Sequence, residues 1–159
     1  MRVEYINPFV EAAFNVLKEV LNTDVKRGDL YLKSSTMQIM GVAALVGLAG
    51  DVEGRVLFDM SKETALNVAS AMNNEELKVL DDLAKATITE LANMITAQAV
   101  TKLHDLGFKF DLTPPALFSG DNMEISNNLE VEALIVPMEL GTGGKLGKIE
   151  INVVIRERA

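Results

Sequence analysis

Glu90 and Asn93 stand three residues apart in the run Thr89-Glu90-Leu91-Ala92-Asn93-Met94-Ile95-Thr96-Ala97. On a helix that spacing places both side chains on one face, a turn apart. One is a carboxylate; the other is a carboxamide, with donors and an acceptor but no charge. From Ala86 to Thr101 Glu90 is the only charged side chain, whereas a helix face that merely meets water usually carries several Lys and Glu. Ala86, Thr89 and Ala97 are small or hydroxylated neighbours, which would let another protein's backbone approach. The pattern points to a docking face that carries one acid and one amide.

Other polar residues have plainer readings. His104 is the only histidine and the chain has no cysteine, so His104 suits a solvated or capping role near a helix end better than metal ligation or catalysis. Asp81 and Asp82 are adjacent, would point about 100° apart on a helix, and suit an acidic helix start better than a cation site. Ser61 has no histidine placed to activate it and reads as a helix cap. The segment Gly141 to Gly147 holds four glycines, but no helix is expected after it to complete a phosphate cradle, so it reads as a hairpin loop. No metal site and no cofactor site of the chain's own is expected.

Composition narrows the class of protein. The 159 residues suit a single domain, 1–159, and 48% hydrophobic content with no Trp and eight Met describes an aliphatic core. Absence of cysteine excludes disulfide scaffolds, thiolate metal sites and a cysteine nucleophile. A net charge of −8 argues against nucleic-acid binding and against attachment to an acidic membrane surface. The N-terminus lacks the pattern of a signal peptide. The uncharged run Ser34 to Gly50 is too short and too polar to span a bilayer, and reads as a buried strand. The expectation is a cytoplasmic protein without membrane insertion.

Periodicity supplies the elements that must position the pair. Asn7-Pro8 is expected to open a first helix to about Leu21, with Phe9, Ala13, Val16, Leu17 and Val20 at helical spacing. Three strands follow, over Leu30–Lys33, Met37–Ala49 and Arg55–Met60, the last two joined by a hairpin at Gly50-Asp51-Val52-Glu53-Gly54. Ser61 caps a helix to about Met72, which Asn73-Asn74 breaks. A new helix is expected from Glu75-Glu76 to Gly107, with an interruption near Leu80. Its buried stripe is Leu80, Leu83, Ala84, Ile88, Leu91, Ile95, Ala99, Leu103 and Leu106. After Thr113-Pro114-Pro115, a rigid turn, come strands at Ala116–Ser119, 129–136 and 148–156. The last two alternate apolar with polar residues and could leave an open sheet edge. The order is a duplicated unit of one helix and three strands, with a helix between the copies. An α+β fold with pseudo-two-fold symmetry, antiparallel sheets and long helices on one face packs it most simply.

Three stretches resemble one family, the CheC/CheX/FliY group of chemotaxis response-regulator phosphatases, and within it CheX. Glu90-Leu91-Ala92-Asn93-Met94-Ile95 resembles the family's E-x-x-N helix. Asp111-Leu112-Thr113-Pro114-Pro115 is similar to the D-[IL]-T-P-P that follows that helix in CheX. Gly54 to Ala65 resembles the family's strand-to-helix stretch ending in S-x-E-T-A. The resemblance implies a phosphatase acting on the aspartyl phosphate of a phosphorylated CheY-like regulator, with Asn93 orienting the attacking water and Glu90 pairing with the regulator's active-site Lys. It implies that Mg²⁺ is supplied by the regulator, and that the chain forms a homodimer through its strands. Ala97 stands where many members carry Gly. Glu11 and Asn15 in the first helix are four apart and so do not repeat the E-x-x-N of CheC relatives, which implies one active site per chain. Two alternatives stay open: a non-catalytic adaptor module of the chemotaxis or flagellar-switch system, and a stress or sporulation switch acting on another receiver.

Overall fold

The computed structural model describes residues 3–33, 36–126 and 132–157. One helix and five strands come first: α1 (Val3–Leu21), β1 (Val25–Arg27), β2 (Tyr31–Lys33), β3 (Thr36–Gln38), β4 (Val42–Gly50) and β5 (Val52–Met60). The connecting helix α2 (Lys62–Asn73) follows. The first order then recurs as α3 (Asp82–Asp105), β6 (Phe110–Leu112), β7 (Ala116–Ser119), β8 (Glu124–Ser126), β9 (Ala133–Leu140) and β10 (Gly147–Glu157). Pairing recurs as well. Strands β1 and β2 pair with β9 as β6 and β7 pair with β4, β3 pairs with β8, and β5 pairs with β10, all antiparallel.

The α+β class and the duplication therefore hold, with the halves interleaved. Each lends two short strands to the other's long strand, and one sheet of order β1-β9-β10-β5-β4-β6 results instead of two half-sheets. The six expected strands correspond to β2, β4, β5, β7, β9 and β10. The run expected as one strand from Met37 divides into β3 and β4 at Met40-Gly41, and Gly41 takes φ 145° there. Strands of three residues such as β1, β6 and β8 hold too little alternation to be seen in the sequence. Leu129, Glu130 and Val131 of the strand expected at 129–136 lie outside the described residues. The hairpin is confirmed, since β4 and β5 pair from Val42↔Met60 to Leu48↔Gly54.

One face of the sheet, including Val42, Phe58, Val136, Met138, Ile151 and Val153, packs with α1 and α3 in a single core. The other face is partly covered by β3 and β8, where Met37 meets Ile135 and Val154, and Ile39 meets Ala43 and Leu57. With both faces covered, central strands are buried at successive positions. That is why Glu150 and Asn152, which alternation would turn to solvent, are 6% and 0% exposed.

Three boundaries or edges differ from expectation. Helix α1 starts at Val3 and carries Pro8 inside it. A proline there forfeits one helix hydrogen bond and costs ~3 kcal/mol. Burial of Tyr5, 2% exposed, offsets it: the ring packs edge-to-face on Phe108 at 4.9 Å and the hydroxyl donates to the Glu157 carboxylate. Glu75 and Glu76 lie in the connection after α2, and α3 begins only at Asp82. Strands β9 and β10 are interior to the sheet, so neither offers the open edge that their alternation suggested. Among the described residues no helix is long and apolar enough to cross a membrane.

Candidate active site

Helix α3 is held at both ends by its own sequence. The Asp81 carboxylate accepts the Ala84 N–H at 2.9 Å as N-cap. At the far end, Phe108 N–H reaches Leu103 O at 3.1 Å and Gly107 N–H reaches His104 O at 2.9 Å, a Schellman closure with Gly107 at φ 97°. His104 Nε2 lies 3.2 Å from Phe110 O and its ring packs on Phe110, so it ties the helix end to β6. Helix α1 runs antiparallel alongside: Tyr5 meets Phe108 at one point and Glu11 pairs with Lys102 at 2.6 Å at another. Glu11 is thereby engaged, and with Asn15, Val10, Phe14 and Arg27 it lines a separate groove of about 460 Å³.

Ala84, Ile88, Leu91, Ile95, Ala99 and Leu103 form the buried stripe of α3, as expected from their spacing. Leu83 and Leu106 do not belong to it: both are exposed. On the outward face, Ala86, Glu90, Asn93 and Ala97 follow one another at intervals of four, three and four and are all exposed, with Thr89 half-buried beside them. The structure thus brings all five expected residues together on one side of one helix. Thr89 is less available than its type suggests, because its hydroxyl donates to Lys85 O at 2.9 Å. Thr87, Thr96 and Thr101 make the same bond one turn back.

Neither Glu90 nor Asn93 has a hydrogen-bond or ion-pair partner among the described residues, and no group of acidic or histidine side chains there is arranged to hold a metal ion. A carboxylate and a carboxamide on one helix face, without partners among the described residues, are available to groups brought by another molecule. Leu83 is the clearest departure from expectation. Its apolar type suggested the buried stripe, but at seven residues from Glu90 its helical position falls on the exposed one.

The two other resembling stretches act on β4 and α2, both of which contact this helix. Thr113 of the Asp111–Pro115 stretch clamps β4 at Gly47, accepting its N–H through Oγ1 at 2.8 Å and donating its own N–H to Gly47 O at 3.0 Å. Ser61 caps α2 by accepting the Thr64 N–H at 3.1 Å, and Thr64 packs against Gly147 so closely that a Cβ on that glycine would lie 2.0 Å from Thr64 Oγ1. On the sheet face away from α3, burial pushes the Asp59 carboxyl up to about 6, while its Oδ1 accepts the Met40 N–H at 2.9 Å. Burial also raises Glu150, but the Tyr31 hydroxyl, Lys148 and Lys33 outweigh it and hold that carboxyl below its ordinary value. Tyr31 is exposed as a residue, but desolvation of its hydroxyl and the bond to Glu150 push it up to about 12.

Comparison with known proteins follows the same lines. The family model described as chemotaxis phosphatase CheX matches residues 42–139. The chain is 32% identical over 128 residues, 80% of its length and 83% of the other's, to the CheY-P phosphatase CheX of Thermotoga maritima. Among solved structures it resembles the CheX–CheY–BeF3–Mg²⁺ complex from Borrelia burgdorferi, with 48% identity, a TM-score of 0.84, and 98% and 100% of the two chains covered. It also resembles a CheC-like superfamily protein from Shewanella, with 28% identity, a TM-score of 0.86, and 98% and 99% covered.

Proposed function

The chain belongs to the CheX family of chemotaxis phosphatases, and from that premise we propose that it hydrolyses the aspartyl phosphate of a phosphorylated CheY-type response regulator. The observation that carries this reading is the exposed pair Glu90 and Asn93 on α3, unpartnered among the described residues and flanked by alanines. Glu90 pairs with the regulator's active-site Lys and sets the docking register. Asn93 enters the regulator's site and holds a water in line with the acyl phosphate. The water oxygen bonds to phosphorus as the phosphorus–oxygen bond to the aspartate breaks, giving inorganic phosphate and a free carboxylate. An acyl phosphate is already activated, so positioning does most of what is needed. Mg²⁺ is assigned to the regulator, in keeping with its presence in the Borrelia complex. Ala86, Thr89 and Ala97 form the close-approach surface around the pair.

The same proposal takes residues 1–159 as one CheX-like domain, which the interleaving of its halves supports, and places it in the cytoplasm with its regulator. It includes a homodimer. Since β9 and β10 are interior, we assign the contact to β2, where Leu30, Tyr31 and Leu32 are exposed.

The test is the decay of phosphate from a CheY-type regulator in the presence of the chain and of its Asn93→Ala and Glu90→Ala variants. The expected result is acceleration that falls by about 10²–10³ in Asn93→Ala, the size seen on removal of one transition-state donor. Binding to the phosphorylated regulator without acceleration by the unmodified chain would refute the catalytic reading and leave a docking module.

A further inference from the structure

Leu83 carries an inference that rests on the proposed function and adds to it. The side chain is 45% exposed, although Ala84, Ile88 and Leu91 beside it are within the core. Seven residues fall about 20° short of two full helical turns, so Leu83 shares the face of Glu90. It stands on the order of 10 Å closer to the helix N-terminus at 1.5 Å per residue. Val79, 66% exposed, lies just before the same helix end. The outward stripe of α3 is thus Leu83, Ala86, Glu90, Asn93 and Ala97, with a single large aliphatic group at one end.

A docking face of one acid, one amide and two alanines excludes little apolar surface from water. Protein interfaces of useful affinity need a desolvated apolar centre beside their polar contacts. Ala86, between Leu83 and Glu90, lets the facing surface come close enough to cover both. We propose that Leu83 is the apolar anchor of this face, seated in an apolar depression on the phosphorylated regulator on the order of 15 Å, at 1.5 Å per residue, from the pocket that Asn93 enters. The occupant is the regulator itself because the anchor is continuous with the residues that meet its active site. Leu83 is a positioning residue: it holds the partner and does not touch the reacting phosphorus.

The experiment measures the affinity of the full chain for a CheY-type receiver held in its phosphorylated form by beryllofluoride and Mg²⁺, together with KM and kcat on the phosphorylated receiver and thermal unfolding. Leu83→Ala is expected to weaken binding and raise KM about five- to tenfold, the effect of losing much of one buried aliphatic side chain. Its kcat and Tm should stay unchanged. Leu83→Glu should weaken binding further, and Leu83→Met should restore it to within about twofold, since Met fills a similar volume. If Leu83→Ala and Leu83→Glu bind as well as the unmodified chain while Asn93→Ala still abolishes acceleration, this inference fails alone. A weakening accompanied by a lowered Tm would show a structural role and overturn it too. If the unmodified chain neither binds nor accelerates, both the anchor and the phosphatase reading fall.

Discussion

Asp59 and Glu150 are direct cross-strand partners on β5 and β10, and like charges so placed destabilise a sheet. The conflict is resolved unequally. Glu150 accepts from the Tyr31 hydroxyl at 2.5 Å and pairs with Lys148 at 3.2 Å and Lys33 at 3.6 Å, whereas Asp59 is 1% exposed and accepts only backbone N–H groups. Its raised pKa of about 6 means the folded chain holds a proton that the unfolded chain, near 4, has lost. The stabilising contribution is therefore complete below about pH 4 and is lost as pH rises through about 6. Asp59→Asn can keep the Met40 contact and removes the buried charge. Its Tm should exceed that of the unmodified chain by about 3–6 °C at pH 7.5. The gap should close as pH falls from 6 to 4 in thermal unfolding followed by circular dichroism; an equal gain at both ends would refute the assignment. For Glu90 and Asn93, their shared helix face was legible in the sequence because it depends only on a spacing of three. Their exposure was not, since it depends on what α1 and the sheet leave uncovered.

At the scale of the element, α3 illustrates how a boundary escapes periodicity. Glu75-Glu76 and Asp81-Asp82 are equally acidic, and charge against the helix dipole favours either pair. The outcome is decided by a hydrogen bond: Asp81 caps Ala84. In the connection Ser70 Oγ accepts the Leu77 N–H at 2.9 Å, which holds the preceding residues in a turn. Asp81→Ala should cost about 1 kcal/mol of stability and lower Tm by about 2–4 °C. Because the cap lies two to three turns from Glu90 and Asn93, kcat in the phosphatase assay should be unaffected; an unchanged Tm would show that another group satisfies the helix start. Leu83 shows a different limit: its apolar type suggested burial, while its spacing of seven from Glu90 places it on the exposed stripe, where the structure has it.

At the scale of the whole molecule, the halves are joined by the long β5–β10 ladder, from Ile149↔Met60 to Glu157↔Val52. Gly54 sits within it so close to its neighbour that a Cβ would lie 1.8 Å from Val154 O. With both long central strands paired on each side, only the short outer strands leave an edge for strand pairing with a second copy. The β2 edge carries Leu32 at 61% exposure with Leu30 and Tyr31 beside it, an arrangement open to pairing with a second copy. Sedimentation should find a dimer that Leu32→Glu converts to monomer; a monomeric unmodified chain, or a dimer indifferent to Leu32→Glu, would refute this contact.

By itself the sequence determined the helix and strand types of the long elements, the caps at Ser61 and Gly107, the duplication, and the acid–amide pair. All of these follow from interactions between residues a few positions apart. Tertiary structure alone decided that the halves interleave in one sheet, that Glu150 and Asn152 are buried, and that Pro8 lies within a helix anchored by Tyr5. Each of these depends on contacts between residues distant in the chain, here Tyr5 with Glu157 and β5 with β10. Local spacing carries no record of which surfaces such contacts will cover.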